Sequence, residues 1–263
     1  MSLAIVGSLS LDRIDGGRPT IGGCPFHAAR ALHALGAPAL VVAKCAAPDR
    51  PTLLPPLIRL GLPVLWRDSS ATAAFSFSYD GEGRRMVVEA IADPWTPEEL
   101  ELPPAAWVHV APLARSDFPP ETLAVLARGR RISLDGQGLV RPARTGLLEP
   151  DADYDADLLR SVSILKLAED EAELLVDGLD ERALRRLGVP EIVVTLGSRG
   201  CVVYADGIAE LVRARRVESP DPTGAGDAFA AVYLAARSRG AAPTAAARRA
   251  AALVADLLAG RAT

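Results

Sequence analysis

Short runs of consecutive apolar residues alternate with stretches whose apolar positions recur every three to four residues, almost from one end of the chain to the other. The runs Ala4-Ile5-Val6, Leu40-Val41-Val42, Val64-Leu65-Trp66, Trp107 to Val110, Ile132 to Leu134, Ile164-Leu165-Lys166 and Ile192 to Thr195 are continuous rather than alternating. That is the pattern of strands covered on both faces. A helical pattern opens after Gly23 with Pro25 in its first turn, carries Ala28, Leu32 and Leu35 on one face, and stops at Gly36. Another follows residue 227, with Phe229, Val232, Tyr233 and Ala236 at helical spacing. Such alternation predicts one α/β domain over residues 1–263, built on a doubly wound, mostly parallel sheet. Two segments break the pattern. Residues 71–90 are two β-rich stretches around Asp80-Gly81, a hairpin signal, and residues 12–22 interrupt the passage from the first strand to the first helix. Together they predict a small antiparallel β lid over the sheet's edge.

Composition narrows the function classes. Of 263 residues 49% are apolar and 24% charged, which excludes a disordered or fibrous chain. The 29 basic and 33 acidic residues leave a net charge of −4, so there is no basic field to wrap nucleic acid. No apolar run reaches the ~18 residues a membrane helix needs, and the opening stretch has no basic leader before Asp12 and Arg13, so a signal peptide is not expected. Cys24, Cys45 and Cys201 are odd in number and far apart, as free thiols of a reducing, cytoplasmic compartment are. Arginine outnumbers lysine 27 to 2, asparagine is absent, and Gln137 is the single glutamine. The acidic run Asp151 to Asp157 resembles the start of a calcium loop, but Ala156 and Val162 stand where the loop needs Gly and Glu, so it reads as a solvated turn.

The most telling local feature is Asp221-Pro222-Thr223-Gly224-Ala225-Gly226-Asp227 at the start of the second helical pattern. Glycines allow close approach of a ligand to the backbone, and the N–H groups and dipole at a helix N-terminus favour an anion. Asp227 would repel that anion unless it is a general base, taking a hydroxyl proton while the N–H groups stabilise the group under attack. The plainer reading, a glycine loop whose acid caps a helix, stands beside it. No GxxxxGK[ST] occurs, and the segment lacks the third glycine of the dinucleotide fingerprint and a following βαβ unit.

These residues, taken with others in order along nearly the whole chain, resemble the ribokinase-like (PfkB) carbohydrate kinases. The family's D-T-x-G-A-G-D signature is similar to Asp221–Asp227, with Pro222 between Asp221 and Thr223. Its Gly-Gly pair opening a helix that ends in Leu-Gly is similar to Gly22-Gly23-Cys24-Pro25-Phe26-His27 through Leu35-Gly36. Asp12 matches its substrate aspartate, and Thr195-Leu196-Gly197-Ser198-Arg199-Gly200 its T-x-G-x-x-G strand and turn. The resemblance implies transfer of the ATP γ-phosphate to a hydroxyl of a small sugar or polyol. In it Asp227 is the base, and Gly224, Ala225 and Gly226 form the anion hole. Asp12, Gly22, Gly23, His27 and Gln137 meet the substrate, and Thr195, Gly197, Gly200 and Thr223 meet the nucleotide. Glu171 holds hydrated Mg²⁺, with a monovalent cation such as K⁺ as a further cofactor. A monomer or homodimer is expected. Only nine residues, Arg13 to Ile21, separate Asp12 from Gly22, so a multi-stranded lid-to-lid clasp is not.

Three departures from the commoner family pattern occur together: Ala168 replaces the Asn of an Asn-x-x-Glu motif, His27 replaces another Asn, and Asp135-Gly136-Gln137 is followed by Arg141. They resemble the inositol-kinase branch, which ranks cyclic polyols and sugars above nucleosides, in keeping with an aromatic content of 5%. The alternatives are a nucleoside kinase of the same family, with Phe26 as base platform, and a silent sugar- or nucleotide-binding relative.

Overall fold

The computed structural model describes residues 2–79, 84–176, 180–217 and 222–261; the expected Asp80-Gly81 turn and Asp221 lie outside them. The strands are β1 Leu3–Ser8, β2 Ser10–Ile14, β3 Thr20–Gly22, β4 Leu40–Ala46, β5 Val64–Ser69, β6 Ala73–Tyr79, β7 Arg84–Ala90, β8 Trp107–Ala111, β9 Arg131–Asp135, β10 Gly146–Leu147, β11 Ile164–Ala168, β12 Glu191–Thr195, β13 Cys201–Ala205 and β14 Ile208–Val212. The α-helices are α1 Cys24–Ala34, α2 Arg50–Ile58, α3 Pro120–Leu126, α4 Gln137–Val140, α5 Glu169–Leu175, α6 Glu181–Arg185, α7 Ala225–Arg237 and α8 Pro243–Leu258.

All seven expected strands form, and they join one nine-stranded sheet in the order β14-β13-β12-β11-β9-β8-β1-β4-β5. It is parallel from β12 to β5, and β13 and β14 close one edge antiparallel. Helices cover both faces. On one, α1, α7 and α8 bury Leu32, Phe229, Val232 and Ala247 against Ile5 and Val193; on the other, α3, α5 and α6 bury Leu123, Ala172 and Leu184 against Val108 and Leu165. The order runs outward from β1 in both directions, so β1 is the switch point, beyond whose carboxyl end doubly wound sheets bind ligands.

The chain leaves β1 there and enters a second, five-stranded sheet, β10-β7-β6-β2-β3, which is the lid. The expectation of an antiparallel lid from 12–22 and 71–90 needs one correction. β2 pairs with β3, and β6 with β7, antiparallel, but β2 and β6 run parallel, and the two-residue β10 extends the far edge. Parallel pairing follows from connectivity: β2 and β6 both enter the lid from strands of the main sheet, β1 and β5, whose ends they continue.

Candidate active site

The first strand of the lid carries Asp12, whose side chain is buried and whose Oδ1 accepts a hydrogen bond from Ser10 Oγ at 2.7 Å. β3 passes so close behind it that a Cβ on Gly22 would overlap the Asp12 carboxyl, which is why that position takes no side chain. The chain then turns at Gly23 into α1, and this sets His27 one turn in, half-buried at the same mouth.

α7 delivers the second group. Its N-cap is Gly224, at φ 77°, a left-handed conformation that suits glycine, and a Cβ there would run into the His27 ring. The first-turn N–H groups of a helix have no intrahelical partners, so Gly226 and Asp227 open α7 with N–H groups unclaimed within the helix, whereas the Ala225 N–H, expected in the anion hole, already donates to the Pro222 carbonyl at 3.0 Å. The Asp227 carboxyl sits in that turn. Burial, then the charge of Asp135, pushes its pKa up to about 6, against the opposing pull of Lys166, a hydrogen bond from the Cys24 thiol, and Arg141.

The floor of the site comes from the ends of β9 and β11. Asp135 and Lys166 are register partners, and Lys166 Nζ lies 3.2 Å from Asp135 Oδ2. Burial works against both charges, yet the pairing outweighs it: Asp135 titrates below and Lys166 above its usual range. Gln137 begins α4, and its backbone N–H donates to Asp135 Oδ1 at 3.2 Å. Glu171 caps α5 by accepting the Ala168 N–H at 2.8 Å, and burial raises its pKa. Among the described residues no three His, Cys, Asp or Glu side chains are gathered to hold a metal ion.

These walls enclose a cleft of about 280 Å³. Asp12, Gly23 and His27 line it, as do Gln137, Arg141, Lys166, Glu171, Gly226 and Asp227, and Phe75, Phe77 and Met86 of the lid roof it. Behind the Gly226 turn is a second cavity of about 240 Å³. Thr195, Gly197 and Gly200 rim it and Phe229, Ala251, Val254 and Leu258 give it apolar walls. The Thr195 hydroxyl donates to the Leu167 carbonyl at 3.1 Å. A third cavity, about 470 Å³, lies beyond His27 and is walled by Phe26, Ile21, Phe77 and Leu257.

The sequence-derived candidates thus fall into two adjoining spaces. Asp12, His27, Gln137, Glu171, Gly224, Gly226 and Asp227 share the cleft, while Thr195, Gly197 and Gly200 line the second cavity with Ala225 and Gly226. Thr223, expected with the nucleotide, lines the cleft instead; its neighbour Pro222 borders both spaces. Gly22 backs Asp12 and does not line the cleft. The cleft also holds Lys166, which the sequence shows only as part of an apolar strand run, and Cys24, there one of three separate thiols, reaches Asp227.

Residues 64–259 match the pfkB family carbohydrate kinase profile. Curated relatives include a cytidine kinase of Thermococcus kodakarensis, 31% identical over 141 residues (50% of this chain, 48% of that protein). Another is fructokinase-1 of Oryza sativa subsp. japonica, 37% identical over 76 residues (27% and 24%). The chain therefore aligns with about half or less of these relatives' lengths. Among solved structures, a pyrophosphate-dependent kinase in the ribokinase family, complexed with a pyrophosphate analog and myo-inositol, superposes with a TM-score of 0.86 at 26% identity, covering 98% of this chain and 95% of that one. A Burkholderia thailandensis nucleoside kinase in complex with inosine has the same fold, with a TM-score of 0.77 at 22% identity over 98% and 91%.

Proposed function

The chain belongs to the pfkB family of carbohydrate kinases, and from that premise we propose that it transfers a terminal phosphoryl group to a hydroxyl of a cyclic polyol or sugar. The observation that carries this reading is Asp227, a carboxylate with a pKa near 6 beside the N–H groups that open α7, facing Asp12 across a cleft of about 280 Å³. A carboxylate accepts hydrogen bonds from two neighbouring hydroxyls, so Asp12 grips one edge of a ring polyol. Gln137, which both donates and accepts, meets another edge, and Phe75 and Phe77 cover the ring's C–H face. The bound hydroxyl gives its proton to Asp227 as its oxygen attacks in line, and the Gly226 and Asp227 N–H groups receive the charge on the phosphoryl oxygens.

The donor in this reading is ATP, its base and ribose in the apolar-walled cavity beyond Gly226. Glu171 offers the hard oxygen that Mg²⁺ takes; held there through water and by the donor's phosphates, the ion would neutralise phosphate charge. The likeness to a pyrophosphate-dependent kinase favours pyrophosphate as a second donor to test. Nucleosides are the second acceptor reading, favoured by the large cavity beside Asp12 and His27, where Phe26 and Phe77 offer ring surface.

The test is turnover of myo-inositol, ribose, fructose, adenosine and cytidine with Mg²⁺ and either ATP or pyrophosphate. Highest kcat/KM for a polyol or sugar is expected. A clear preference for a nucleoside overturns the acceptor, and no turnover with any pair, despite donor binding, leaves a binding protein.

A further inference from the structure

Both lysines of the chain are buried. Lys44 is fully occupied by structure: its Nζ lies over the Trp95 ring, 4.6 Å from the centroid, and donates to Glu99 Oε2 at 2.7 Å and the Pro94 carbonyl at 3.0 Å. Lys166 is different. Its partner Asp135 is equally buried, and a buried ion pair is a weak source of stability, since apolar replacements of similar size often serve as well. A reason for the pair is better sought in where it points.

It points into the cleft. Lys166 Nζ lies 3.2 and 3.5 Å from the two Asp135 oxygens, and an ammonium has three protons to donate. On its other side a Cβ built on Gly226 would stand 3.1 Å from Nζ, so the ammonium rests against the turn whose N–H groups open α7. Asp227 and Glu171 flank it closely enough to favour its charge. The cleft is otherwise rich in carboxylates, with Asp12, Asp135, Asp170, Glu171 and Asp227 against Lys166 and Arg141. A phosphoryl group carrying several negative charges needs a cation at the point of transfer.

We propose that Lys166 is a catalytic residue, donating from its ammonium to the phosphoryl group as that group crosses the Gly226 turn. The proposal rests on the phosphoryl-transfer reading above. In the step, the acceptor oxygen bonds to phosphorus and the bond from phosphorus to the donor's bridging oxygen breaks. The electron pair of that bond leaves with the shortened donor, and the hydroxyl proton goes to Asp227. Lys166 changes no bond; it follows the charge. Asp135 holds the ammonium in place.

The test replaces the pair with neutral groups, Asp135→Asn with Lys166→Met, so that neither member is left buried and charged without the other. Melting temperature should stay close to wild type and acceptor KM within a few-fold. Meanwhile kcat should fall by about 10²–10³, the usual loss for one preorganised donor. Calorimetric titration with adenylyl imidodiphosphate and with inorganic pyrophosphate, each with Mg²⁺, should find binding weakened at least about tenfold. As a second variant, Lys166→Arg keeps the charge and should hold donor affinity within roughly threefold. Unchanged kcat and unchanged donor affinity in the neutral variant overturn the proposal, as does an Arg variant that binds no better than the neutral one. If the wild type binds donor but phosphorylates no acceptor, the kinase reading fails while the titrations still decide on Lys166. A wild type that binds neither donor sinks both.

Discussion

Asp227 is asked to be charged where charge is disfavoured. Burial holds its pKa near 6, so it is mostly ionised at pH 7.5 and loses its proton-accepting form as the medium is acidified. The kcat/KM profile should fall on the acid side with a midpoint near 6. Asp227→Asn should lower kcat by about 10²–10⁴ with donor binding retained; near-normal turnover would remove Asp227 as base. Stability should move the other way. A carboxyl whose folded pKa is raised is favoured as the neutral acid, and that advantage, full below about pH 4, is lost as pH rises through 6. Above that pH the ionised group costs the fold roughly 1–3 kcal/mol, so the Asn variant should melt higher than wild type at pH 8 and gain nothing at pH 4. Cys24 tunes the same group, since its buried thiol donates to the carboxylate and holds its pKa down. Cys24→Ala should move the acid limb upward by about half a pH unit, and Cys24→Ser should restore it; a limb that stays put in the Ala variant refutes the contact's role.

At the scale of elements, the lid sets a carboxylate and an aromatic roof on neighbouring strands. β2 brings Asp12, and its parallel neighbour β6 brings Phe75 and Phe77, whose rings stack 6.4 Å apart over the cleft. Phe77→Ala should raise acceptor KM about tenfold or more while leaving donor affinity alone, which initial-rate kinetics with both substrates varied would separate; a loss confined to donor KM would contradict the arrangement. Most elements were legible because their signals are local. Continuous apolar runs marked the covered strands, and Pro25 and Gly36 marked the ends of α1. The β13–β14 hairpin went unread although Asp206-Gly207, both at positive φ, is a strong two-residue hairpin signal between apolar runs. The parallel join of β2 to β6 has no local signal, because it is set by where β1 and β5 end. The candidate site was legible in the same uneven way. Asp12, Gly224 and Asp227 belong to compact motifs. Lys166 looks like one more residue of an apolar strand until β9 sets Asp135, 31 positions away, beside it.

On the scale of the whole molecule, both lysines lie in the interior, Lys44 1% and Lys166 7% exposed, and every basic side chain at the surface is therefore a guanidinium or an imidazole. Among the described residues, the folded protein consequently offers amine-directed reagents no exposed lysine. Brief treatment with an N-hydroxysuccinimide ester should leave both lysines unmodified in native protein and modify both after denaturation, located by peptide mass spectrometry. Prompt labelling of either in the native chain would mean that this lysine is not where it has been described. Lys166 is the more exposed of the two, so the first slow lysine adduct should fall there, and a bound phosphate donor should delay it. The rate of that one acylation is therefore a chemical gauge of how open the cleft is.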